Sequence, residues 1–175
     1  MGMRDIRKGT TKYPGIYRGT VVDNNDPDKF GKIKIRIHPM MDEESIQIAA
    51  LPWAVPAYPI HEGSGAGYGF FSIPRLNTKV WVFFEANDFM QPVYFAEALD
   101  ETRGKPTFVN TNYPDRKGIR WANGLELIID EFNDDVIINH PSGTVISIDV
   151  DGKVVINSVD EVDITGTVVN INPAP

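Results

Sequence analysis

The residues able to do chemistry are scattered along the chain rather than gathered. Asp23-Asn24-Asn25-Asp26-Pro27-Asp28 is a dense run of oxygen donors, the kind a hard cation such as calcium takes. The loop spacing fails, however: counted from Asp23, the fifth position is Pro27 and the twelfth is Lys34, where donors are required. A hairpin turn explains the run better, because Asp, Asn and Pro are turn formers. Gly63-Ser64-Gly65-Ala66-Gly67-Tyr68-Gly69 has the composition of a phosphate loop but no Lys-Ser/Thr ending. Strand-like residues follow it instead of the helix whose N-terminus would hold the anion, so it reads as a glycine-rich bend. His38, His61 and His140 have no metal-ligand spacing. The carboxylates of Asp42-Glu43-Glu44, Asp130-Glu131, Asp134-Asp135 and Asp160-Glu161 fall in turns, with no sign of the cleft a glycosidase needs. Ser64 has no triad partner, and the chain has no cysteine. These residues predict no catalytic, metal or cofactor site, and hence no enzyme.

One constellation points to binding. Lys32, Lys34 and Arg36 alternate with Ile33, Ile35 and Ile37, which predicts a strand with a basic outer face. Small barrels bind single-stranded nucleic acid with such a groove and stacking aromatics, and Tyr17 and Phe30 are near in sequence. Charge argues against it. Residues 1–105 hold 13 Lys and Arg against 13 Asp and Glu, and residues 106–175 hold 4 against 11, the whole of the net charge of -7. An acidic molecule repels nucleic acid and anionic lipid, so a solvated face or a contact with a protein partner is the better expectation.

The elements that would position these residues are all strands. Residues 1–12 read as a basic arm without the apolar core of a secretory signal, and no apolar run is long enough to cross a bilayer. Residues 13–105 predict a small barrel. Strands are expected at 15–22, 31–38, 69–73, 79–85 and 93–98, a short helix within 42–50, and an edge or loop at 53–58, where Pro52, Pro56 and Pro59 intrude. Residues 106–124 read as a linker or neck. Strands follow at 125–130 and 136–139, and then a repetitive tail.

In that tail, Ile146, Val154 and Val162 are eight apart, as are Ile148, Ile156 and Ile164. Apolar and polar residues alternate within each repeat, the mark of stacked strands in a β-solenoid or β-helix. One copy of such a tail is too thin to enclose a core, so it demands a partner.

Residues 15–37, Gly15-Ile16-Tyr17 through Asp26-Pro27 to Gly31-Lys32-Ile33-Lys34-Ile35-Arg36-Ile37, resemble the opening of the OB-fold domain of contractile-tail spike proteins. Trp53-Ala54, the block from Gly67 to Pro74 and Val80 to Glu85, and Pro92-Val93 are similar to later parts of that family's pattern. Gly118-Ile119-Arg120 and Gly124 to Asp130 look like its neck. Asn77 and Asn87-Asp88 depart from the family's glycine positions, and there is neither an inserted lysozyme domain nor a His-x-His iron site after His140.

The resemblance implies an all-β protein: an N-terminal OB-fold barrel (13–105) and a C-terminal intertwined trimeric β-helix spike (125–175). It implies a homotrimer whose shared core is Ile146, Ile148, Val154, Ile156, Val162, Ile164, Val169 and Ile171. It also implies docking on a baseplate hub and transient contact with a target envelope, in a virion tail or a cytoplasmically assembled injection particle, and no binding of nucleic acid. Asn172-Pro173-Ala174-Pro175 would be a blunt platform for a PAAR-type tip protein. With strands of three chains interleaved, each eight-residue repeat would advance about three strand spacings, or ~14 Å. Two other readings remain open on the residues: a single-stranded nucleic-acid binding module with an oligomerising tail, and a cell-wall enzyme, for which an inserted domain would be needed.

Overall fold

The computed structural model describes residues 13–41, 46–60 and 67–169. Two compact units divide the chain, residues 1–100 and 101–175. No α-helix occurs among the described residues, only strands and short 3-10 turns.

The first unit is a closed barrel. Its strands are β1 (Ile16–Asp23), β2 (Ile33–Ile37), β3 (Trp53–Pro56), β4 (Lys79–Phe84) and β5 (Pro92–Glu97). Their order is β1-β2-β3-β5-β4, and β1 pairs back onto β4. All contacts are antiparallel except β3 on β5. Alternation does the sorting: Ile33, Ile35 and Ile37 point inward with Val21, Ala54, Val80, Val82, Phe84 and Tyr94 to form the core. Gly19 is required where β1 crosses β2, because a Cβ there would lie 2.4 Å from the Ile35 side chain.

The Asp23–Asp28 run is a turn, and Asp26 builds it. Its carboxylate is buried and accepts the backbone N–H groups of Asp28, Phe30 and Lys32 at 3.1, 2.8 and 3.2 Å. Burial raises its pKa, but those three donors and the nearby Lys32 charge outweigh it and hold the group below its ordinary value.

The barrel corrects three expectations. Residues 69–73 form no strand, because the β1–β4 and β3–β5 pairs close the ring and leave no edge to extend. Residues 53–56 are a ring strand and not an edge or loop; beyond Pro56 the Ala57 N–H donates to Tyr94 O at 2.8 Å and continues the pairing. The third correction concerns the basic stripe. Lys34 is only 7% exposed. Its Nζ donates to Ile48 O and Ala49 O at 3.1 and 2.9 Å and sits 5.0 Å from the Trp53 ring centroid. Arg36 donates to Ile46 O at 2.8 Å and to Met41 O at 3.3 Å. These cations clamp the connection between β2 and β3; of the helix expected within 42–50, the described residues 46–50 hold a 3-10 turn at Ile48–Ala50, and the rest lies outside the described residues.

The second unit is a five-stranded antiparallel meander: β6 (Arg116–Arg120), β7 (Glu126–Asp130), β8 (Asp135–Asn139), β9 (Val145–Ile148) and β10 (Val154–Asn157). Residues read as a neck thus contain β6. Gly118 lets β6 approach β7, since a Cβ there would meet Leu127 O at 2.2 Å.

Consecutive strands of one chain pair directly with each other. The ~14 Å advance expected from interleaved chains is therefore replaced, through β10, by one strand spacing of ~4.8 Å per strand. The eight-residue spacing accommodates this because Ile146 pairs with Ile156 and Ile148 with Val154, keeping all four on one face. Val162, Ile164 and Val169 lie outside any strand.

The role of Lys34 is directly measurable. Lys34→Ala leaves two carbonyls without their donor and should lower barrel stability by about 1–3 kcal/mol, read from denaturant midpoints. A change below the experimental error would show that Lys34 is not a clamp.

Candidate functional site

The meander has one aliphatic face and one mixed face. In an antiparallel sheet, directly paired residues share a face. One cross-sheet row runs Ile119, Leu127, Ile138, Ile146, Ile156; the next runs Lys117, Ile129, Val136, Ile148, Val154. Apart from Lys117, every member is aliphatic. Those nine side chains are 39–60% exposed in the single chain. Two adjacent apolar rows spanning five strands make a contiguous patch, which in water marks an interaction surface. Lys117 bounds the patch at the β6 edge, and its ammonium is paired with Glu131.

The opposite face is mixed and better covered: a row of Ile128, Ile137, Ser147 and Val155 runs beside polar groups that fix the sheet's geometry. Asp130 is 1% exposed. It accepts from Asn112 Nδ2 at 2.9 and 3.2 Å, from the N–H groups of Phe132 and Asn133 at 3.2 and 3.3 Å, and from Asn133 Nδ2 at 3.2 Å. Arg116 Nε stands 3.6 Å from it. One carboxylate thus ties the segment before β6, the start of β6 and the β7–β8 turn. Glu126 is paired with Arg120 and accepts Asn139 Nδ2 at 2.8 Å, linking β6, β7 and β8. Between them Ile128 is fully buried.

Burial pushes the Asp130 carboxyl up, but Asn112, the Asn133 and Phe132 N–H groups and Arg116 outweigh it, so its pKa is lowered. The Asn139 hydrogen bond, with Arg120, lowers Glu126 against a smaller effect of burial.

Of the eight predicted core residues, the structure brings Ile146, Ile148, Val154 and Ile156 into this patch. It does not bring Val162, Ile164 and Val169 into a strand. Ile171 and the proposed platform Asn172, Pro173, Ala174 and Pro175 lie outside the described residues. Ile119, Leu127, Ile129, Val136 and Ile138 were missed as members. Their signal was present in the alternation, but Leu127-Ile128-Ile129 and Val136-Ile137-Ile138 are apolar on both faces, and only register separates the faces.

The barrel carries smaller features. Phe30, Tyr68, Phe70 and Phe71 are exposed and, with Lys29 and Lys32, line a groove on its surface. A second depression is lined by Ile16, Trp81 and Phe95, and Arg18 stacks 5.0 Å from the Trp81 ring centroid. His38 reaches Thr20 and His140 reaches Ser142. No group of metal-ligating residues comes together among the described residues.

A closed five-stranded barrel of order β1-β2-β3-β5-β4 defines an OB-type domain. Residues 17–97, just under half of the chain, match the model of the type VI secretion system/phage-baseplate injector OB domain, so the barrel is similar to that domain. The resemblance to spike proteins of contractile injection machines is thereby supported on the residues that carry it. The chain finds no match among curated proteins.

The mixed face should make the second unit acid-labile. Both carboxyls sit below their ordinary values of 4.5 (Glu126) and 3.8 (Asp130) when folded. Their stabilisation is therefore complete above those values and is lost as pH falls through the lowered ones. Melting temperature should drop as pH falls below about 4.5, and Asp130→Asn should lower it at neutral pH while flattening that dependence. An unchanged slope would mean Asp130 is not the titrating tie.

Proposed function

We propose that the chain is the spike of a contractile injection machine: a homotrimer whose three sheets close their apolar rows around a common axis. The observation that carries this is the two-row aliphatic face on a sheet that follows a barrel similar to a baseplate injector OB domain. Each half-exposed aliphatic side chain gains on the order of 1 kcal/mol when covered. Three copies of one surface bury it symmetrically. The acidic residues of the C-terminal part remain outside and keep the assembled rod soluble.

The role is mechanical. The barrels dock on a baseplate hub, and contraction drives the rod into the target envelope. The far end offers a platform for a separate tip protein. No step in this role requires catalysis.

A second reading, single-stranded nucleic-acid binding, is favoured by the barrel groove alone. Phe30, Tyr68, Phe70 and Phe71 supply stacking surfaces. Lys34 and Arg36 do not contribute, being engaged with backbone carbonyls. If a labelled oligonucleotide binds at low salt and Phe30→Ala abolishes it, this reading stands; no binding at low salt removes it.

The spike reading is tested by solution mass. Light scattering should give three times the 19.5 kDa chain. Ile138→Asp or Ile146→Asp, each placing a charge on the apolar face, should yield monomers with the barrel intact by circular dichroism. A wild-type monomer would overturn the reading, and a dimer would replace the three-sided arrangement with face-to-face sheets.

A further inference from the structure

One aromatic run of the barrel lies outside its five strands and is not buried. Tyr68, Phe70 and Phe71 are 49–58% exposed, and Phe30, which lines the same groove, is 69% exposed. Single exposed apolar residues are ordinary, but four large rings in one groove mark an interaction site. The groove's volume, about 840 Å³, lies in the range of about 300–1,000 Å³ that ligand sites occupy.

Buried polar groups hold these rings from behind. Asp26 fixes the loop under Phe30, one carboxylate oxygen accepting the N–H groups of Phe30 and Lys32 at 2.8 and 3.2 Å. Tyr94, itself buried, donates its hydroxyl to Gly31 O at 2.6 Å. Gly31 has φ +79°, and a Cβ on it would lie 2.4 Å from Tyr58 Oη, so the loop closes down on Tyr58. The Tyr58 ring in turn meets Phe70 and Phe71, with centroids 5.7 and 6.0 Å away. Asn24 donates to Pro74 O at 3.0 Å and tethers the far end of the same segment. Rings anchored in this way lose little freedom when a ligand stacks on them, which favours binding.

The polar groups of the groove narrow the ligand. Lys32 is paired with Asp28 at 2.8 Å, a donor and an acceptor side by side with no net charge. Lys29 is the other lining cation and has no ion pair among the described residues. A nucleic-acid strand needs several unpaired cations along its phosphates, and this chain carries a net charge of -7. A peptide added as a strand needs an open edge, but β3 is paired on both sides, with β2 and β5. A polyproline peptide needs no edge, yet proline has no N–H to give the Asp28 carboxylate. A pyranose ring matches on every count. Its C–H bonds crowd the ring faces and carry partial positive charge, which the negative face of an aromatic ring attracts. Its hydroxyls lie on the perimeter, where they both donate and accept.

We propose that this groove is an oligosaccharide-binding site. Phe30, Phe70 and Phe71 stack on sugar rings, the Lys32–Asp28 pair binds hydroxyls, and Lys29 meets a carboxylate where the glycan carries one. The site lies wholly in the barrel, so it does not rest on the trimeric reading of the sheet. It adds a chemical contact to a role that is otherwise mechanical.

Titration calorimetry of the full chain with chitohexaose, maltohexaose and hexagalacturonate tests it. At least one should bind saturably, and Phe30→Ala or Phe70→Ala should weaken that binding at least ~10-fold. Because Phe30 is largely exposed, Phe30→Ala should leave the melting temperature unchanged. Lys29→Ala should weaken hexagalacturonate alone. Phe132→Ala removes an equally exposed ring of the second unit and should leave binding intact. The proposal is overturned if none of the three binds at millimolar concentration, or if neither phenylalanine variant weakens the binding. Tighter, steeply salt-dependent binding of oligothymidylate would overturn it in favour of nucleic acid. Solution mass is indifferent to all of these outcomes, so the glycan site can fail while the spike reading stands.

Discussion

A β-sheet in water must cover at least one of its apolar faces, and in this chain that requirement is met differently in the two units. The barrel closes on itself, so β1 reaches β4 and the isoleucines of β2 meet the valines of β4 inside one ring. The meander stays open. Its aliphatic rows have nothing of their own strands to close against, because five strands in sequential order form a wall and not a ring. What is a core in the first unit is thus a surface in the second. The proposal of a shared axis follows from that contrast.

Buried polar groups then decide how rigid each unit is. Asp26 organises the barrel's first loop by accepting three backbone donors, and Lys34 and Arg36 hold the next connection through carbonyls. In the meander, Asp130 and Glu126 do the equivalent work on the mixed face. Each replaces lost hydration with fixed partners, which is what makes a buried charge tolerable.

Much of this was legible in the residues. Alternation in 33–37 located β2 and its inward isoleucines, and the Asp-Asn-Pro run located a turn. The motif blocks from Gly15 to Val93 carried the resemblance that the match over residues 17–97 supports. The tail's repeat marked Ile146, Ile148, Val154 and Ile156 as one stripe. Less legible was anything set by pairing. Lys34 looked solvated because strand alternation says which way a side chain points, not whether a loop lies over it. Residues 69–73 looked like a strand because sequence cannot reveal that a ring is already full.

By itself, then, the sequence determined most strand positions, the family pattern that the barrel resembles and the presence of an apolar stripe, since each is written in local order and spacing. The tertiary structure decided which strands are neighbours. An eight-residue repeat is equally compatible with strands interleaved among chains and with a hairpin inside one chain, because both keep residues of even separation on the same face. The difference lies in the turns. Gly143 and Gly152 permit the left-handed backbone that returns the chain onto itself.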